Sequence, residues 1–191
     1  MCYPALALLL ALLIAIQVAP QTAGGGSVTP LYDKTRRSIP GNLPWYPLVV
    51  FGDNRPANEM SVEQPEVFYQ LLSELENMYP PAVIGLGDHV GYGTPEQYEK
   101  LYSLFSKTRL ENLWLTPGNH DVHYAGLTYW KQYIGPDSVI VDDIPGWRIA
   151  LVDSEADQST WRDQLERAYS GLGNRQLILG YHRPLYPNVQ H

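Results

Sequence analysis

Four short polar segments carry residue types used in metal and phosphate chemistry, and each directly follows an apolar run. Two are Gly-Asp turns, Gly52-Asp53 and Gly87-Asp88. The third is the segment Gly118-Asn119-His120-Asp121, and the fourth places His182 before Arg183-Pro184. Carboxylate, amide and imidazole groups are ligands that divalent metal ions accept. The sequence therefore predicts a metal site where these segments meet.

Short buried strands are the elements expected to position these segments. Apolar runs that end at glycine or Pro-Gly predict strands at 48–51, 82–86, 113–115 and 177–179. A turn signal between Val139–Val141 and Trp147–Val152 predicts a hairpin. Ligands bind at the carboxyl edge of strands in open α/β sheets, which is where the polar segments fall.

Three capping patterns predict the starts of helices between the strands. They are Ser61-x-x-Gln64, Thr94-Pro95-Glu96-Gln97 and Thr160-x-x-Asp163. Apolar residues at helical spacing follow each pattern. The alternation of strands and helices predicts a layered α/β domain, a sheet flanked by helices.

The order of the motifs resembles that of the calcineurin-like metallophosphoesterases. Gly-Asp, Gly-Asp-x-x-Gly, Gly-Asn-His-Asp and His-x-Pro follow one another over roughly 48–184. The resemblance implies an incomplete version of that family's β-sandwich. It also implies a binuclear site with two divalent ions (Mn, Fe, Zn or Mg). The implied reaction is hydrolysis of a small phosphomonoester or phosphodiester by a metal-activated hydroxide.

The same resemblance implies a role for each metal ligand. Asp88 would bridge the two ions, Asp53 would bind one of them, and Asn119 and His182 would bind the other. Each residue also has a purely structural interpretation: the two aspartates as turn or helix caps, Asn119 as a turn residue and His182 as a packed loop histidine. Four such residues at four strand ends favour the metal site.

Other histidines and one aspartate receive different roles. By the resemblance, His120 would not bind metal and would act on the leaving-group oxygen as a general acid or transition-state stabiliser. Asp121 is expected to orient its loop. His89, His123 and His191 have no motif support and are treated as surface or structural residues.

The chain departs from the family pattern in two places. The first motif normally reads Asp-x-His, and Arg55 stands at the histidine position. Arginine stays protonated and cannot bind a metal. It could instead clamp a substrate phosphate, as a catalytic residue, or pair with Asp53. The family's last motif, Gly-His-x-His, has no match before His191. A fragment, a non-catalytic relative, or a partner chain that completes the metal site would each explain this.

Bulk properties limit the remaining choices. The 191 residues suffice for one domain, predicted at 48–191 and truncated at its C-terminus, with a linker at 24–47. The net charge of -7 argues against a nucleic-acid partner. Cys2 is the single cysteine, which excludes disulfides and thiolate metal sites from the body of the protein.

The N-terminus predicts export from the cytoplasm. An apolar run at 5–16 has the length of a secretory signal segment, so residues 1–23 are expected to be a signal peptide or an uncleaved anchor. In the anchored case, residues 5–19 would hold the protein at the membrane. Both alternatives place the domain outside the cytoplasm.

Two rival functions come from other classes. A relative without turnover would serve as a phosphate- or metal-binding module, and the missing ligands favour this alternative. A serine-dependent α/β hydrolase is excluded because the sequence has no Gly-x-Ser-x-Gly elbow.

Overall fold

The computed structural model describes residues 28–42 and 47–184. The elements in chain order are α1 (Leu31–Thr35), β1 (Leu48–Phe51), α2 (Glu66–Met78), β2 (Ala82–Leu86), α3 (Pro95–Lys107), β3 (Leu113–Thr116), α4 (Gly126–Tyr133), β4 (Val139–Val141), β5 (Trp147–Leu151), α5 (Gln158–Tyr169) and β6 (Gln176–Gly180). The predicted signal peptide or anchor at 1–23 lies outside the described residues.

Two three-stranded sheets form the centre of the fold. In the first, β2 lies between β1 and β3, and all three strands are parallel. In the second, β5 lies between β4, to which it is antiparallel, and β6, to which it is parallel. The strands predicted from apolar runs and the predicted hairpin are therefore present. The carboxyl ends of β1, β2 and β3 share one edge of the first sheet.

The alternation of side chains along the strands explains the layering. Ile84 and Trp114 belong to a buried cluster that also contains Ile149 and Leu151 of the second sheet. Val83, on the opposite face of β2, belongs to a cluster that includes the buried residues of α2, α3 and α4: Phe68, Leu72, Leu75, Tyr98, Leu101, Phe105 and Trp130. The sheets thus pack together, and helices cover the outer face of the first sheet. The predicted layered α/β fold is confirmed.

The capping pattern at Thr94 is confirmed. Thr94 Oγ1 accepts from the Gln97 N–H at 3.4 Å, and the Gln97 side chain accepts from the Thr94 N–H at 3.4 Å. Pro95 occupies the first helical position, where its missing N–H leaves no partner unsatisfied.

The other two predicted helix starts are wrong. Helix α2 begins at Glu66 after Pro65, and the proline disfavours the helical conformation at Gln64, the residue before it. Helix α5 begins before Thr160, because the Asp157 carboxylate caps it by accepting from the Thr160 N–H at 3.0 Å.

A packed helix lies inside the range expected to be a linker. Leu31 of α1 is buried in the cluster under the helices, and the Tyr32 N–H donates to Ile134 O at 2.9 Å. The Asn112 N–H donates to Thr35 O at 2.9 Å. Residues 28–42 therefore include a segment that packs on the domain. Over the described ranges, no helix has the length and apolar character needed to cross a membrane.

Candidate metal centre

The two Gly-Asp turns lie side by side and are hydrogen-bonded to each other. The Asp53 N–H donates to Gly87 O at 3.0 Å, and the Arg55 N–H donates to Asp88 O at 2.9 Å. Both aspartates have positive φ, 50° at Asp53 and 54° at Asp88. Aspartate tolerates this left-handed conformation better than most residues, and such backbone strain clusters at functional sites. The turns after β1 and β2 thereby bring both carboxylates to one place.

All four predicted ligands meet at this edge. Ligand atoms of Asp53, Asp88 and His182 lie within 4.8 Å of one another. His182 Nε2 is 3.4 Å from Asp88 Oδ1 and 3.3 Å from Asn119 Oδ1. Asp88 is buried, whereas Asp53 is exposed. The structure thus gathers carboxylate, amide and imidazole groups from the ends of four strands.

The protonation of His182 makes this group suitable for a cation. His182 Nδ1 lies 2.9 Å from Leu86 O, and since a carbonyl only accepts, Nδ1 carries the hydrogen. In the neutral ring Nε2 then presents a lone pair to the oxygens of Asp88 and Asn119. Adjacent ligands of an ion bound at about 2.1 Å lie about 3.0–3.4 Å apart, which matches the observed spacing. The residues present fit a divalent cation.

Two glycines let the loops approach this closely. A Cβ at Gly87 would lie 2.6 Å from His182 Nδ1, and the φ of Gly87 is 81°. A Cβ at Gly118 would lie 2.4 Å from Asp88 Oδ1. Any side chain at these positions would therefore displace a candidate ligand.

The loop after β5 fixes the segment that carries His182. The Arg183 N–H donates to Ser154 Oγ at 3.1 Å, and Arg183 Nε donates to Glu155 Oε1 at 2.6 Å. The position of His182 is therefore fixed in two ways, by the contact of its ring with Leu86 O and by the hydrogen bonds of the next residue, Arg183.

The predicted general acid lies beside the candidate ligands. The His120 N–H donates to Asp88 Oδ1 at 3.0 Å. His120 Nδ1 lies 2.8 Å from Gly91 O and therefore carries a hydrogen. Nε2 lies 3.9 Å from Asp88 Oδ2, so this nitrogen faces the group of ligands. With both ring nitrogens protonated, this orientation suits hydrogen-bond or proton donation from Nε2 to a ligand on the metal side.

Arg55 pairs with Asp88, so the sequence-based alternative of a pair with Asp53 is wrong. Arg55 Nε lies 3.2 Å from Asp88 Oδ2, and the side chains are 27% and 5% exposed. One oxygen of the Asp88 carboxylate thus faces His182 and the other faces a guanidinium.

The Asp121 side chain links the loop after β2 to the loop after β3. Oδ1 accepts from the N–H groups of His89 and Val90, each at 2.9 Å, and Oδ2 accepts from the Gly118 N–H at 2.8 Å. Burial raises the pKa of Asp121 to about 7, against the lowering effect of these donors. Asp121 occupies the loop-orienting position expected from the sequence.

His89 is a positioning residue that sequence reasoning did not single out beyond a surface or structural role. It is fully buried, its Nδ1 lies 2.7 Å from Asn54 Oδ1, and its Nε2 accepts from the Gly87 N–H at 3.2 Å. Its ring stacks on Trp130 with centroids 6.0 Å apart. Burial lowers the pKa of His89 to about 3, so the ring is neutral. The position of His89 directly after Asp88 was the sequence feature that could have indicated this role, because a buried side chain there contacts both Gly-Asp turns.

His123 and His191 are the two remaining histidines of the sequence. The His123 ring lies 5.3 Å from the His120 ring and 5.4 Å from the Tyr92 ring, which places this exposed residue at the rim of the site. His191 lies outside the described residues.

The match to a family model agrees with the motif order. A sequence model described as calcineurin-like phosphoesterase matches residues 46–184. Among solved structures, the chain is similar to a protein of unknown function, AQ665 from Aquifex aeolicus. The two share 19% identity with a TM-score of 0.40, over 72% of this chain and 79% of that chain. No curated protein matches the chain.

Proposed function

The chain belongs to the calcineurin-like phosphoesterase family, and from this premise we propose that it hydrolyses a small phosphomonoester or phosphodiester in a metal-dependent reaction. The observation that carries the proposal is the approach of His182 Nε2 to the oxygens of Asp88 and Asn119 at 3.3–3.4 Å, while His182 Nδ1 is engaged by Leu86 O at 2.9 Å. This is a ligand set that oxygen- and nitrogen-binding divalent ions prefer.

Asp53, Asp88, Asn119 and His182 would hold the metal. Their oxygens and imidazole, without a thiolate, suit Mn, Fe, Zn or Mg. A divalent ion held there would polarise a phosphoryl oxygen and lower the pKa of a water molecule. The resemblance implies two such ions.

The protein's own groups would act on the phosphate ester itself. In its doubly protonated form, His120 would donate a proton or hydrogen bond from Nε2 to the ester oxygen as its bond to phosphorus breaks. The planar fork of Arg55 would pair with phosphoryl oxygens and stabilise their developing charge. Positioned acid catalysis of this kind contributes about 10²–10⁴-fold to a rate, which sets the expected effect of removing His120.

The test is turnover of an aryl phosphate and a bis-aryl phosphate with added Mn²⁺. We expect His120→Ala to lower kcat by about 10²–10⁴-fold while the protein keeps its metal. We expect Asp88→Asn to lose both metal and turnover, because the buried carboxylate faces the proposed ion. Asp163→Asn is the matched control, since Asp163 is an exposed residue of α5.

Wild-type protein that binds Mn²⁺ but turns over neither substrate would refute the proposed hydrolysis. That result would support the second candidate, a metal- or phosphate-binding module without turnover. The Arg55–Asp88 ion pair favours this candidate, because it engages one oxygen of the central carboxylate.

We also propose that the domain acts outside the cytoplasm. The apolar run at 5–16 supports this location, as a signal peptide or as a membrane anchor. Fractionation of cells that express the chain into medium, membranes and cytosol would test it, and recovery of the domain in the cytosol alone would contradict it.

A further inference from the structure

The two oxygens of the Asp88 carboxylate have different surroundings. Oδ1 faces His182 Nε2 at 3.4 Å and accepts from the His120 N–H at 3.0 Å. Oδ2 faces Arg55 Nε at 3.2 Å. Since the carboxylate is buried, its charge requires compensation close by. The geometry offers a cation position on the Oδ1 side and a guanidinium on the Oδ2 side.

Arg55 is held in this position by its backbone as well as its charge. Its N–H donates to Asp88 O at 2.9 Å, and its Nη1 contacts Pro56 O at 3.4 Å. A permanently charged group that cannot bind metal thus occupies the side of Asp88 that a second ion would need. The guanidinium both uses a lone pair of Oδ2 and repels a second cation.

The available ligands also suit one ion. Within residues 28–42 and 47–184, Asp53, Asp88 and His182 are the one group of histidine or carboxylate side chains close enough to hold a metal. Asn119 adds a fourth ligand through Oδ1, 3.3 Å from His182 Nε2. Two carboxylates balance the charge of one divalent ion, and Arg55 then leaves the site with a net positive charge that suits a phosphate anion.

We infer that the site takes a single divalent cation and that the Arg55 guanidinium supplies the second positive charge. This inference rests on the proposed metal-dependent function and concerns how that function is carried out. Arg55 would compensate Asp88 through Nε and meet a phosphoryl oxygen with the rest of its fork.

The experiment measures Mn²⁺ bound per chain after equilibrium dialysis of the full chain, together with the electron paramagnetic resonance spectrum of the bound Mn²⁺. We expect one Mn²⁺ in the wild type, with the spectrum of an isolated ion. Arg55→His removes the fixed charge and adds a ligand, so we expect a second Mn²⁺ and a spectrum of coupled ions. Arg55→Lys is the matched control; it keeps the charge and should bind one.

Two tightly bound ions in the wild type would overturn the inference, even if the variants fail to fold. So would a single ion in Arg55→His protein whose circular dichroism matches that of the wild type. These outcomes leave the proposed hydrolysis standing where turnover is observed. Absence of bound Mn²⁺ from the wild type would overturn both proposals.

Discussion

Substitution of Gly118 by alanine is the sharpest steric test of the proposed metal centre. A Cβ at this position would lie 2.4 Å from both Asp88 N and Asp88 Oδ1, and 3.0 Å from His182 Cδ2. The φ of Gly118 is not in the left-handed region, so the added methyl group acts through these contacts alone.

The expected magnitude follows from the required displacement. The loops must separate by at least about 0.6 Å for the Cβ to reach 3.0 Å from Asp88, whereas metal–ligand distances tolerate only about 0.2 Å. We expect Gly118→Ala to weaken Mn²⁺ binding by about 10–100-fold, an effect similar to loss of a supporting hydrogen bond. Overpacking should also lower the free energy of unfolding by about 1–3 kcal/mol.

Isothermal titration with Mn²⁺, well below the unfolding temperature, would measure the affinity, and urea denaturation would measure the stability. Gly41→Ala is the matched control, because no atom lies within 4 Å of its added Cβ and its φ is ordinary. If folded Gly118→Ala protein bound Mn²⁺ as tightly as the wild type, the cation would not lie between Asp88 and His182.

Three further predictions concern the loops and helices around the site. Asp121→Ala leaves three buried N–H donors without their acceptor, so urea denaturation should show a loss of at least about 3 kcal/mol; a change below 1 kcal/mol would contradict this. Burial raises the pKa of the Asp153 carboxyl from 3.8 to about 6. The contribution of this group to the free energy of unfolding is therefore greatest below pH 3.8 and is lost as the pH rises through about 6. Relative to Asp153→Asn, the wild type should therefore lose about 3 kcal/mol of unfolding free energy over that interval, and parallel pH profiles would refute it. Thr94→Ala removes the cap of α3 and should cost about 0.5–2 kcal/mol in thermal denaturation, whereas an unchanged Tm would count against the capping box.

The strands could be predicted from the sequence because their burial is continuous. Strands β2 and β3 are covered on both faces, so they read as apolar runs that end at glycine or proline. The short helices could not be predicted in the same way. Helix α4 begins after Ala125 without a side-chain cap, and α1 has five residues, so neither carries a start signal or a full apolar period.

The meeting of Asp53, Asp88 and Asn119 could also be predicted, since the parallel strands β1, β2 and β3 deliver their carboxyl ends to one edge. His182 follows β6 of the second sheet, and the motif order indicated that it joins them. The ion-pair partner of Arg55 could not be predicted from the sequence. It depends on the hydrogen bonds between the two Gly-Asp turns, which turn Arg55 toward Asp88 and leave Asp53 exposed. Such a choice between two neighbouring carboxylates is made by backbone geometry at positive φ, which sequence spacing does not encode.

Hydrogen bonds within the protein position the buried half of the proposed metal centre. Leu86 O orients His182, the His120 N–H orients Asp88, and each of these contacts is made by the protein alone. Below them, His89 and Asp121 hold the turns through buried polar contacts. These contacts restrict the side chains of Asp88 and His182 at the spacing that the ligands of one ion would have. A cation that binds here should consequently order the exposed Asp53 more than any of the buried ligands.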